Sequence, residues 1–214
     1  MMNPDSPCNT VNIAVLDNDR FFTCGLEKLL TGLFASRFQA QAVFHYAADN
    51  IAQMDVIIVA VNPGDHIDCL WPWLAQRKLR SLVVGFYEHH SPVHTKKPLF
   101  CLTKAVWLHK RSDIVLTGNT LAHGWREMLA CNLDTDTRDC GRCSRLKLTE
   151  QQRKIAFYMT RGMSINAIAS ALNINTKTVS VHKYFLMEKL HLQTNQQFME
   201  FLHRKNSVMA LSLD

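Results

Sequence analysis

The chain has 214 residues, 47% of them apolar, and a formal net charge of +6. All of that excess lies late: 14 Lys+Arg balance 14 Asp+Glu up to Cys143, whereas 10 Lys+Arg face 4 Asp+Glu from Ser144 onward. The longest apolar run, Val56 to Val61, is far too short to cross a bilayer, and Met1 to Asn9 has neither the basic start nor the apolar stretch of a secretory signal, so a cytoplasmic protein with no membrane partner is expected.

The first 130 residues alternate between β-branched runs and helical patterns. Val11 to Leu16 reads as a buried strand, Arg20 to Phe34 as an amphipathic helix and Val43 to Tyr46 as a weak strand. Val56 to Val61 is apolar throughout, as in a parallel strand covered on both faces. A helix is expected over Ile67 to Gln76, a strand over Arg80 to Phe86, a last strand over Ala105 to Leu108 and a last helix over Ile114 to Leu129. Pro92 and Pro98 interrupt the pattern between the last two strands. Repeated βα units predict an α/β fold, a doubly wound parallel sheet with helices on both faces. The polar stretch Asn132 to Lys147 reads as a linker. The expected domains are 10–131, a linker at 132–145, and an all-α domain at 146–206.

In that last segment Thr149 and Gln152 fit a capping box. The helix they start runs to about Arg161 and stops at Gly162. Ser164 caps a second helix, carrying Ile168, Ala169 and Leu172 at helical spacing. Asn173 suits its left-handed end. Thr176 is expected to cap a third helix running to about Leu190. Two helices joined by a tight turn, the second longer and basic at its start, make a helix-turn-helix pattern.

The third helix can be checked on a wheel. At 100° per residue, Leu186 and Leu190 fall within about 20° of Val179, a narrow core stripe. Lys177, Ser180, Val181 and Tyr184 fall on the opposite side, between about 100° and 200°. A cation, a hydroxyl, methyl groups and a phenol can meet phosphates, base edges and the thymine methyl in a major groove. The basic charge of the segment fits a polyanion, nucleic acid before membrane. The expected partner is double-stranded DNA. Lys183, about 40° from the stripe, is expected to snorkel towards phosphate.

The run Leu148-Thr149, Gly162-Met163-Ser164, Ile168-Ala169, Leu172-Asn173-Ile174, Lys177-Thr178-Val179, Val181-His182 and Lys189-Leu190 resembles the LuxR/FixJ-type DNA-binding domain over about sixty residues. The resemblance implies four helices, the third reading DNA and the fourth, here Asn195 to about Arg204, forming a dimer interface. It implies that Ser180, Val181 and Tyr184 face bases, and that Thr176, Lys177, Thr178 and His182 hold the backbone. Gln152 stands where the family usually has an acidic residue and Asn173 where it has glycine; both keep the capping physics.

The βα segment, placed before such a domain, resembles a response-regulator receiver. In a receiver an acidic pair after the first strand holds Mg²⁺, an Asp at the end of the third strand accepts a phosphoryl group, and a Lys after the fifth strand balances its charge. Here the resemblance places Asp17 and Asn18 at the acidic pair and Ala60 at the acceptor position. A methyl group cannot accept a phosphoryl group, and Asp65 lies too far into the loop. The residue closing the fourth strand is Phe86 or Tyr87; the Lys role falls to Lys110, or to Lys104. A degenerate phosphorylation site follows, with Asp17 and Asp19 a vestigial Mg²⁺ site. The expected regulator is phosphorylation-independent, a homodimer or a heterodimer with another response regulator, and not an enzyme. It resembles the auxiliary, non-phosphorylated regulators of capsule and surface-structure genes in enteric bacteria. The alternative is an accessory protein that modulates another regulator and makes few DNA contacts itself.

No cofactor or metal is expected. Cys140-Gly141-Arg142-Cys143, with Cys131 upstream, lacks the second close pair that a four-ligand zinc site wants, and the seven cysteines read as free thiols. His89, His90 and His94 read as a solvated loop, against a metal or pH-sensing cluster.

Overall fold

The computed structural model describes residues 9–65, 72–88, 105–130 and 148–210. The chain forms two compact units, Met1–Val61 with Trp71–Cys143, and Asn62–Leu70 with Ser144–Asp214.

The first unit is a five-stranded parallel sheet. Its strands are β1 (Asn9–Leu16), β2 (Ala40–His45), β3 (Val56–Val61), β4 (Leu82–Tyr87) and β5 (Val106–His109), in the order β2-β1-β3-β4-β5. That is the doubly wound order, with its switch point between β1 and β3. Val11, Ile13 and Val15, with Val56, Ile58, Val84 and Phe86, pack against Leu26, Leu30 and Phe34 of helix α1 (Arg20–Phe38) and Leu121 and Trp125 of α2 (Ile114–Ala130). The alternate residues Ala14, Ile57, Val59, Val61 and Val83 are buried too, so both sheet faces are covered. Each Val, Leu, Ile or Phe among them contributes about 1.5–3 kcal/mol on leaving water. In register beside Trp107, Gly85 is the one residue small enough for that indole: an added Cβ would lie 2.4 Å from the ring.

The five strands and the helices α1 and α2 agree in type with the sequence, and their bounds shift. Helix α1 runs one turn past Phe34, because Phe38 continues the aromatic packing on Phe34 (5.7 Å) and Trp125 (6.4 Å). The weak second strand starts earlier, at Ala40, where it pairs with Asn9 of β1. The helix expected over Ile67 to Gln76 needs correction. Its described part, Pro72–Gln76, is a 3-10 helix. Pro72 has no N–H to donate and a fixed φ, which suit the first position of this short element. Residues 66–71 lie outside the described residues. So do Pro92, Pro98, Lys104, the histidines 89, 90 and 94, the linker at 132–145 and every cysteine but Cys24, which is free and exposed.

The second unit contains α3 (Glu150–Thr160), α4 (Ile165–Leu172), α5 (Thr176–Lys189) and α6 (Asn195–Ala210). Ile155, Ile168, Val179, Leu186, Leu190, Phe198 and Phe201 form its core. The capping box is complete: Gln152 N donates to Thr149 Oγ1 at 3.2 Å and Thr149 N to Gln152 Oε1 at 3.1 Å. Gly162, at φ +73°, ends α3. Ser164 caps α4, accepting from Ala167 N at 3.2 Å, and Asn173 closes it at φ 51°. The cap of α5 is Asn175 and not Thr176: Asn175 Oδ1 accepts from Lys177 N at 2.8 Å. A short amide side chain competes well for this position, and Thr176 becomes the first helical residue. Helix α6 continues well past Arg204, to Ala210.

Candidate nucleic-acid interface

Helix α5 has two unlike sides. Val179, Leu186 and Leu190 are at most 1% exposed. Thr176, Lys177, Thr178, Ser180, Val181 and Tyr184 are exposed, and His182 and Lys183 are half-buried. The turn before α5 is set by Asn173, Asn175 and the Ile174 N–H, which donates to Ala169 O at 3.0 Å. This fixes the exposed first turn of α5, whose positive dipole end suits a phosphate. Ser180 Oγ, exposed, donates to Thr176 O at 3.1 Å and can still accept a hydrogen bond. At the far end Lys189 Nζ donates to Gln152 Oε1 at 3.2 Å, tying α5 to the start of α3. The amide at position 152 thus serves the cap and this tie together.

One exposed aromatic residue of α5 stands outside the set that the wheel picks out. Phe185 is 46% exposed and its ring lies 6.2 Å from that of Tyr184. It stands about 240° from Val179, at the flank of the polar side. Phe157 of α3, also exposed, carries the Arg161 guanidinium over its ring at 4.3 Å.

The carboxyl edge of the sheet gathers a second set. Lys110 follows β5, and its N–H donates to Tyr87 O at 2.9 Å. Its Nζ lies 2.9 Å from Asp17 Oδ2, 3.0 Å from Glu88 Oε1 and 3.9 Å from Asp19 Oδ2, and 5.0 Å from the centre of the Phe22 ring. Burial pulls the Lys110 ammonium down, but hydrogen bonds from it to Asp17 and Glu88 outweigh that, and its pKa is raised. Asp19 also caps α1, accepting from Phe22 N at 3.1 Å. Asn18 is exposed. Ala60, half-buried, pairs in register with Phe86. So Asp17 and Lys110 meet, as the sequence suggested; Asn18 and Ala60 bring no charge; Glu88 and Asp19 complete the cluster. Position directly after β4 was the signal for Glu88.

Asp65 belongs to the second unit. It is 2% exposed, with Oδ2 taking the Asn62 N–H at 3.0 Å and Oδ1 taking Arg204 Nη2 at 3.0 Å. Burial pushes its carboxyl up; Arg204 and Asn62 pull it back only in part.

Residues 146–202 match the model of the bacterial regulatory proteins of the luxR family. The uncharacterized protein YjjQ of Escherichia coli O157:H7 is 31% identical over 99 residues, 46% of this chain and 41% of that protein, so the chain spans about two fifths of the curated relative it matches. Among solved structures, RcsB of Salmonella enterica serovar Typhimurium bound to promoter P1flhDC, with a phosphomimetic, superposes with a TM-score of 0.57 at 16% identity, over 92% of this chain and 99% of that one. The response regulator RcsB in complex with DNA superposes with a TM-score of 0.55 at 15% identity, over 92% and 99%. At such identity the likeness concerns the fold: a receiver-type sheet followed by a LuxR-type helix-turn-helix domain.

Proposed function

We propose that this chain, with its LuxR-type DNA-binding domain at residues 146–202, is a transcription regulator that reads DNA through α5 and does not depend on phosphorylation at the end of β3. The observation that carries the reading is the two-sided α5: a buried stripe of Val179, Leu186 and Leu190, with Lys177, Ser180, Val181 and Tyr184 exposed opposite it. Thr176, Lys177, Thr178, His182 and Lys183 would hold phosphates, and Ser180, Val181 and Tyr184 would meet base edges.

Phosphorylation independence rests on chemistry. Ala60 offers a methyl group where a carboxylate nucleophile is needed. Lys110 already has Asp17 and Glu88 as counter-ions. Asp65 has both carboxylate oxygens engaged and is closed to solvent. The chain acts as a dimer, as the RcsB structures with bound DNA do in one case by name, or with a partner regulator. Phe21 (95% exposed), Ile114, Val115 and Leu116 leave apolar area on α1 and α2 that suits such pairing.

The test is DNA affinity of the purified chain, alone and with candidate partner regulators, from about 50 to 200 mM salt. Affinity that falls steeply with salt is expected. Its absence in every combination refutes the reading. Incubation with acetyl phosphate and Mg²⁺, followed by intact-mass measurement, tests the second half; a gain of one phosphoryl group refutes it. Regulation that survives mutation of Lys177, Ser180 and Tyr184 when a partner is present would favour the accessory reading.

A further inference from the structure

Three large apolar side chains are exposed within five residues of α5: Val181 at 48%, Tyr184 at 65% and Phe185 at 46%. A helix that packs on one stripe gains nothing in its own fold from these. Single exposed apolar residues are ordinary, but these three lie together, at about 140° to 240° from the core stripe. They adjoin Lys177 and Ser180, on the side that faces away from the helical core.

The polar readers on this helix are few. Arg, Asn and Gln, whose forked groups recognise guanine and adenine edges, are absent from Thr176–Lys189. Lys177 sits in the first turn, Lys183 is half-buried, and Lys189 is engaged with Gln152. Glu188, at about 180° and one turn beyond Tyr184, puts a carboxylate on the same side and closes the strip against phosphate. The middle of α5 therefore offers DNA an apolar surface, and the apolar group a major groove displays is the thymine 5-methyl.

We propose that Phe185 joins Val181 as a base-reading residue, and that the two recognise thymine methyl groups on nearby base pairs. This rests on the DNA-binding reading above and goes beyond it in naming the class of base. Val181 and Phe185 are four residues apart, about 6 Å along the helix axis, against about 3.4 Å per base step. Their two methyls lie one or two steps apart. The Tyr184 ring, edge-on to Phe185 at 6.2 Å, limits where the Phe185 ring can turn.

The experiment starts from duplexes selected out of a randomised library by the full chain. Each thymine in the selected site is then replaced singly by deoxyuridine, which removes only the methyl. Two positions, one or two steps apart, are expected to lose about fourfold in affinity each, the worth of one buried methyl-sized group. Val181→Ala and Phe185→Ala should each abolish the deoxyuridine penalty at one of those positions and leave the salt slope unchanged. Phe185→Leu should keep it, and thermal unfolding of all three variants checks that the domain folds. Selected sites without thymine under α5, or an Ala variant of either residue that keeps both penalties, overturn the proposal. Absence of any salt-dependent binding would instead refute the DNA-binding reading itself, so the two failures are distinct.

Discussion

Replacing Lys110 by Met asks whether the charge cluster at the sheet edge is closed by this ammonium. The side chains of Asp17 and Lys110 are 4% and 11% exposed, with Nζ and Oδ2 at 2.9 Å. Without Lys110 the Asp17 carboxylate keeps the Asp19 N–H, at 2.9 Å from Oδ1, and loses its counter-ion. Removing one member of a buried pair costs about 3–5 kcal/mol. Glu88 is 53% exposed, so its share is at most about 1 kcal/mol. A loss of about 3 kcal/mol is expected, because the site lies at the sheet edge where water partly relieves the stranded charge. With a urea dependence of about 2 kcal/mol per molar, the midpoint falls by about 1.5 M. All four tryptophans lie between Trp71 and Trp125, so their emission follows this unit alone. Asp17→Asn in the Lys110→Met background removes the stranded charge and should restore more than half of the loss; Glu88→Gln alone should cost little. A Lys110→Met protein as stable as its parent, or one that Asp17→Asn does not rescue, would refute the reasoning.

The same pair sets a pH dependence. The pKa of Lys110 is raised above its ordinary 10.5, so its contribution is fully present below that value and is lost as pH rises through the folded-state value; the stability gap between parent and Lys110→Met should be flat from about pH 6 to 9 and shrink only in stronger alkali, as followed by urea titrations. Asn175→Ala removes the cap of α5 and should cost about 1 kcal/mol in the helical unit, read by loss of helical circular dichroism on heating. Leu186→Ala opens the core beneath α5 at a residue 1% exposed and should cost about 2–5 kcal/mol, enough to unfold the unit in the same assay. Lys177→Ala should weaken binding to all DNA sequences alike and lower the slope of log affinity against log salt by about one.

The helical unit was largely legible in the sequence because its signals are local. Thr149 with Gln152, Ser164 and Asn173 each act within four residues, and the structure places their hydrogen bonds and dihedrals where the spacing required. The cap of α5 was misassigned for the same kind of reason: Asn175 and Thr176 are adjacent and chemically alike as caps, and only the backbone angles separate them. Phe185 was missed because an aromatic residue on the flank of a wheel belongs equally well to core or surface until burial is known. In the sheet unit, β3 was fixed to the residue by its unbroken apolar run, whereas β2, a half-exposed edge strand, owes its bounds to pairing with β1.

The sequence by itself determined the alternation of strands and helices, the helix-turn-helix with its core stripe, and the absence of a carboxylate at Ala60. Each of these is a property of residue type and short-range period. The tertiary structure alone decided that Lys110 takes Glu88 as a counter-ion beside Asp17, that Asp65 is sealed with Arg204, and that the Phe185 ring of α5 stays exposed. Those facts depend on which residues chain folding brings together and which it leaves uncovered, and no local pattern encodes them.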